Sequence, residues 1–256
     1  MTIERRELDS AGLKAHFYSP KGGGKFPAVI AIHGGGWRLE NRELYRYLGP
    51  WLAERGYAVL AVTYRLATPE RKTWPEALED VRAALKFARS DAKLGIDPER
   101  IALLGDSSGA HLAALVALTA PQPVKAVIGV YGVYDLAAQW RHDQVSRPRD
   151  HIVERFLGAS LIDDRRIYFD ASPISYVSAK NNSTAFLVAW GTADDVVDCR
   201  TQSEPFLEAL KQAGHYARPA VLEGAPHFWI GDPLDEAGSH AAFFAHRLLR
   251  FLQAKV

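Results

Sequence analysis

The stretch Ile101-Ala102-Leu103-Leu104-Gly105-Asp106-Ser107-Ser108-Gly109-Ala110-His111-Leu112 decides how the rest of the chain is read. An apolar run of strand character ends at Leu104, and apolar residues at helical spacing run from Ala110 to Thr119. Between them Ser107 sits in a Gly-Asp-Ser-Ser-Gly turn. A sharp strand-to-helix turn pushes its central side chain out of the sheet, and flanking glycines are needed because a Cβ there would meet the neighbouring strand and helix. The hydroxyl is then presented at a helix N-terminus, where backbone N–H groups and the helix dipole favour developing negative charge. A helix-capping serine is the plainer reading of the same letters. The strand before and the helix after favour a nucleophile.

Working outward, strand-like runs at Phe26–Ile32, Tyr57–Val62, Val124–Val130, Ala185–Trp190 and Ala217–Leu222 alternate with helix-like Leu44–Arg55, Pro75–Ser90, Thr201–Ala213 and Ala237–Ala254. Repeated strand–helix units predict an α/β fold with a mostly parallel central sheet and helices on both faces. Ile3–Leu8 and Leu13–Tyr18, separated by Asp9-Ser10-Ala11-Gly12, predict an antiparallel hairpin at one edge. Gly22-Gly23-Gly24 reads as a flexible connection, since it lacks the spacing and the Ser/Thr of a phosphate-binding loop. Residues 133–180, rich in Arg, Asp, aromatics and Pro, break the rhythm. A long excursion inside a compact domain is usually functional, so this one is expected to be a lid or substrate wall, with a solvated insertion as the plainer alternative.

With 256 residues, 48% hydrophobic and 24% charged, the chain has the composition of a globular protein and the length for one domain over 1–256. Lys and Arg number 31 against 30 Asp and Glu, a net charge of +1 that offers no general attraction to phosphate backbones or anionic lipid. Nucleic acid and membrane are therefore not expected partners. The single Cys199 excludes an intrachain disulfide framework and a multi-cysteine zinc site, and no CxxC or HExxH occurs. The charged N-terminus and the lack of an apolar run of ~18 residues predict neither signal peptide nor membrane span. The expected location is the cytoplasm, and a homodimer is open.

His33-Gly34-Gly35-Gly36-Trp37 follows the strand-like Ala28–Ile32. Acyl transfer needs N–H donors aimed at an oxyanion, and consecutive glycines let bare backbone approach it. The amides of Gly35, Gly36 and Ser108 are the expected donors, with Gly34 in place of Gly36 as the alternative. A serine nucleophile needs a base, and the base an orienting acid. His227 lies in Gly224-Ala225-Pro226-His227-Phe228-Trp229, directly after the run ending at Leu222. Asp194 lies in Gly191-Thr192-Ala193-Asp194-Asp195, directly after the run ending at Trp190, with Asp195 and then Asp198 as alternatives. The chain order Ser107, Asp194, His227 is the one expected of a triad mounted on this kind of sheet. Such chemistry needs no cofactor.

Together these motifs resemble the α/β-hydrolase fold, and within it the esterase/lipase group related to hormone-sensitive lipase. The resemblance runs from about Phe26 to the C-terminus. It implies a serine carboxylesterase acting on small-molecule esters with short acyl groups through an acyl-enzyme. His33 leaves room ahead of it only for the edge hairpin and no cap, which favours short bacterial carboxylesterases, acetyl and feruloyl esterases and arylformamidases. Ser108-Gly109-Ala110 stands where many of the group have Ala-Gly-Gly, and Gly109-Ala110-His111-Leu112-Ala113-Ala114 and Gly132-Val133-Tyr134-Asp135-Leu136 both resemble arylformamidases. The alternatives are thus cleavage of N-formyl-kynurenine, or of acetyl or feruloyl esters of oligosaccharides.

Trp37 and Trp229 flank the motifs and are the candidate substrate-binding aromatics. His111 reads as a packed, hydrogen-bonded helix residue. His142, Asp143, Asp150 and His151 lack metal-ligand spacing, and no metal is expected. Arg141, Arg147, Arg149 and Arg155 read as a solvated surface, and Cys199 as small packing.

Overall fold

The computed structural model describes residues 3–10 and 12–256. Its centre is an eight-stranded sheet in the order β1-β2-β4-β3-β5-β6-β7-β8. The strands are β1 (Ile3–Ser10), β2 (Leu13–Pro20), β3 (Phe26–Ile32), β4 (Ala58–Val62), β5 (Ile96–Asp106), β6 (Ala126–Val130), β7 (Ala185–Gly191) and β8 (Ala217–Leu222). β1 and β2 form the expected antiparallel edge hairpin, β2 runs antiparallel to β4, and all remaining pairs are parallel. Ala11, inside the expected hairpin turn, lies outside the described residues.

Alternation along each strand sends its side chains into two cores. Ala28, Ile30 and Ile32 of β3, Ile101 and Leu103 of β5, and Phe186 and Val188 of β7 face one core. Helices α2 (Glu76–Ser90), α3 (Ser108–Thr119) and α7 (Ser203–Gln212) cover that side. Val29 and Ala31, Ala102 and Leu104, and Leu187 and Ala189 face the other, under α1 (Leu48–Ala53) and α8 (His240–Lys255). Strands covered on both faces read as continuous apolar runs, which is why their limits were visible in sequence. Helix α3 is buried from Ser108 to Leu118, so the turn carrying Ser107 is anchored at the centre of the molecule.

Two elements differ from expectation. The helix expected over Leu44–Arg55 is a 3-10 turn at Arg42–Arg46 followed by the short α1, because Pro50 has no N–H to continue an earlier helix and is tolerated only in a first turn. Strand β5 begins at Ile96, ahead of Pro98. Phe26 pairs with Ile96 and Ala28 with Ile101, so residues 97–100 bulge out of the ladder where a proline could not donate.

The excursion carries α4 (Leu136–Ser146), α5 (Ile152–Leu157) and α6 (Arg165–Ala171) and packs on the α3 side. Among the described residues no helix is long and apolar enough to cross a membrane.

Candidate active site

Ser107 stands between β5 and α3 with φ 50° and ψ −120°, a conformation that a non-glycine residue rarely adopts. The turn is held by Ser107 N–H donating to Val130 O at 2.9 Å. Both flanking glycines are sterically fixed. A Cβ on Gly109 would lie 2.0 Å from Ile32 O, and one on Gly105 would lie 2.3 Å from Gly109 O.

The loops after β5, β7 and β8 converge at the carboxyl ends of the parallel strands. Ser107 Oγ–H donates to His227 Nε2 at 3.1 Å, and His227 Nδ1–H donates to Asp194 Oδ2 at 2.7 Å. The other Asp194 oxygen accepts the backbone N–H groups of Val196 and Val197, each at 2.9 Å. That leaves the carboxylate one orientation. Asp195 and Asp198 do not take this place; Asp198 pairs instead with Arg200.

The glycine loop after β3 lies alongside. Gly34 N–H donates to Asp106 Oδ1 at 2.9 Å, so this amide is already committed. Among the described residues no acceptor is found for Gly35 or Gly36 N–H, and Ser108 is the first residue of α3, whose N–H has no intrahelical partner. All three residues line one cleft with Ser107 and His227. The fully buried Asp106 carboxyl also accepts from Tyr45 Oη at 2.7 Å. Burial raises it to about 6, opposed by the Tyr45 and Gly34 hydrogen bonds.

The cleft measures about 120 Å³. Trp37 is on its wall, stacked on Phe156 at 4.6 Å and donating through Nε1 to His111 Nδ1 at 3.1 Å. His111 Nε2–H donates to Ala171 O at 2.7 Å, so this histidine links the glycine loop, α3 and the excursion. Burial lowers it to about 4, which keeps the ring neutral and able to accept from Trp37.

Trp229 is not on the cleft. It is 2% exposed and packs edge-on against Tyr131 and Phe244 in the core beneath α8. Phe228 takes φ 69°, which turns the chain so that its own ring faces the cleft and Trp229 points inward. Sequence reasoning passed over Leu39, Val133, Gln139 and Ile152, which line the wall together with Asp143, weighed there for a metal, and Arg147. Gln139 and Asp143 of α4 and Arg147, which caps the helix C-terminus, repeat every four residues, a spacing that marks one helix face. Gln139 Nε2 and Arg147 Nη2 both donate to Asp143 Oδ1 and to Val196 O. Arg147, expected in solvent, thus belongs to the site. Asp150, weighed for a metal, instead takes a bidentate pair from Arg38 at 2.7 Å per bond.

Comparison with known proteins returns esterases of the same fold. Esterase LipQ of Mycobacterium tuberculosis is 34% identical over 75% of this chain and 47% of its own length, and esterase LipC of the same organism is 34% identical over 88% and 58%. The chain spans about half the length of the curated relatives it matches. The hyperthermophilic esterase of the archaeon Pyrobaculum calidifontis superimposes with a TM-score of 0.80 at 26% identity, covering 99% of this chain and 85% of that one. Carboxyl esterase 2 of Tuber melanosporum gives 0.77 at 26%, covering 100% and 86%. The BD-FAE family model matches residues 16–210, well over half the chain. By sequence and fold, this chain belongs to the BD-FAE family, an α/β-hydrolase esterase group related to hormone-sensitive lipase.

Proposed function

We propose that the protein is a serine carboxylesterase that hydrolyses esters of short carboxylic acids. The observation that carries this reading is the relay from Ser107 Oγ through His227 to Asp194, with its two hydrogen bonds of 3.1 and 2.7 Å. His227 Nε2 takes the Ser107 proton as Oγ attacks the ester carbonyl. The oxyanion is received by the N–H groups of Gly35, Gly36 and Ser108, which are preorganised and cost no rearrangement as charge develops. Collapse expels the alcohol, whose oxygen takes the proton from His227, and leaves an acyl group on Ser107. Water, deprotonated by the same nitrogen, then releases the acid. Asp194 orients the imidazole and stabilises its charged form. A cleft of about 120 Å³ suits a short acyl group better than a long chain.

The test is a hydrolysis panel on wild type and Ser107→Ala: p-nitrophenyl acetate, butyrate and octanoate, methyl ferulate, an acetylated xylo-oligosaccharide and N-formyl-kynurenine. Acetate and butyrate are expected to exceed octanoate, with Ser107→Ala reducing turnover by a factor of the order of 10⁶. A dominant rate on N-formyl-kynurenine would make the enzyme a formamidase. Turnover that survives in Ser107→Ala would remove Ser107 from the mechanism.

A further inference from the structure

Among the described residues, four that are not glycine hold a positive φ: Trp37, Ser107, Tyr131 and Phe228. Three are buried and have partners that account for them. Trp37 bonds to His111, Ser107 occupies the turn, and Tyr131 packs its ring 4.3 Å from that of His227 while its hydroxyl accepts from Ile230 N–H. Phe228 differs: at φ 69° its backbone is one that a glycine would hold at less cost, yet its side chain is 57% exposed. The turn seats Trp229 in the core, but that accounts for the backbone and not for a solvated aromatic ring on it, and strain of this kind is retained where the position serves the site.

The ring stands edge-on to the His227 imidazole, 4.3 Å between centroids and 85° between planes, and lines the cleft. Leu39, 61% exposed and borne on the loop of Gly35 and Gly36, lines the same cleft. Both side chains give up water only when something apolar lies against them.

The chemistry decides which part of an ester that is. As the bond between Ser107 Oγ and the acyl carbon forms and the bond to the alcohol oxygen breaks, that oxygen must come within hydrogen-bond reach of His227 Nε2 to take its proton. The alcohol portion therefore leaves past the residue that touches the imidazole. We propose that Phe228 and Leu39 form the leaving-group subsite, and that it selects esters of apolar, aryl-bearing alcohols over those of small or hydroxyl-rich ones. This rests on the serine-esterase reading given above.

The experiment compares the acetates of methanol, 1-butanol, 2-phenylethanol and glycerol on wild type, Phe228→Gly and Leu39→Ser. All four pass through the same acetyl-enzyme, so differences between them arise in acylation. In wild type, kcat/KM is expected to rise at least about tenfold from the methyl to the 2-phenylethyl ester, with the glycerol ester low. Phe228→Gly should erase most of that ratio with a thermal midpoint no lower than wild type, because glycine suits the backbone, and should leave the propionate-to-acetate ratio on one alcohol unchanged. A flat alcohol series in wild type, or one preserved in Phe228→Gly, would overturn the subsite. So would a shift in the acyl ratio, which would place the ring against the acid portion. Equal turnover by Ser107→Ala would instead overturn the serine-nucleophile reading on which the subsite rests.

Discussion

Asp106 and His111 lie five positions apart and pull stability in opposite directions with pH. Burial raises the Asp106 carboxyl from 3.8 to about 6 and lowers the His111 imidazole from 6.5 to about 4. As pH falls from 6 towards 3.8, folded Asp106 holds a proton that the unfolded chain lacks, so acidification favours folding. As pH falls from 6.5 towards 4, the unfolded chain protonates a histidine that the fold keeps neutral, so the same acidification opposes it. Burial lowers His33 too, which adds to the second effect. Urea unfolding of wild type between pH 6.5 and 4.5 should therefore change less than either group implies. Asp106→Asn, which keeps an oxygen for Gly34 and Tyr45 but cannot titrate, should lose an additional ~1–3 kcal/mol over that descent, and His111→Gln should flatten it. An Asp106→Asn profile parallel to wild type would show that the carboxyl does not titrate in this range. At this scale the sequence was most legible where a motif follows a strand: Ser107, Asp194 and His227 each stand directly after an apolar run. Gly34 could not be separated from Gly36, because the contact that commits its amide comes from Asp106, far along the chain. Trp229 was placed on the cleft because nothing in a phenylalanine announces a left-handed φ at residue 228.

Helix α4 acts on the acid loop rather than merely walling the cleft. Gln139 of the helix and Arg147 at its C-terminal cap donate to Val196 O, and His142 of the helix bonds to Asp195 O at 3.2 Å, so three side chains grip the backbone just beyond Asp194. Gln139→Leu fills similar space without the bonds. It should lower kcat roughly tenfold, with KM within twofold, by loosening the Asp194 carboxylate against His227. Steady-state kinetics on two esters of different acyl length would check this, and a loss confined to KM would mean that Gln139 contacts substrate instead. The turn into α3 is less forgiving. Gly109→Ala would place a Cβ 2.0 Å from backbone at Ile32, with no flexible side chain to give way, and should cost more than ~4 kcal/mol. Little soluble protein is the expected result, read from the soluble fraction on expression. Strands buried on both faces were legible as continuous apolar runs. The bulge in β5 was not, since Pro98 near its start hid the extension back to Ile96.

Across the whole molecule, one sheet with a core on each face joins the hairpin, the strand–helix units and the excursion. The excursion's Val153, Phe156 and Leu157 share a core with Ile30 of β3 and Leu112 of α3. Unfolding should be a single transition, with calorimetric and van 't Hoff enthalpies equal and near- and far-ultraviolet signals coincident. An earlier transition confined to tertiary signals would make residues 133–180 a separate unit. Fold class, the alternation of units and the place of the excursion were all readable from periodicity. What the excursion touches was not, because its partners are Trp37 through His111, Arg38 through Asp150 and Val196 through α4, on loops distant in sequence. These ties bear on how such a protein can be recombined. A segment bonded to both the glycine loop and the acid loop is not an exchangeable cassette. A chimera that imports residues 133–180 from a relative would inherit side chains shaped for another protein's loops, and would work only where residues 33–39 and 194–197 travelled with it.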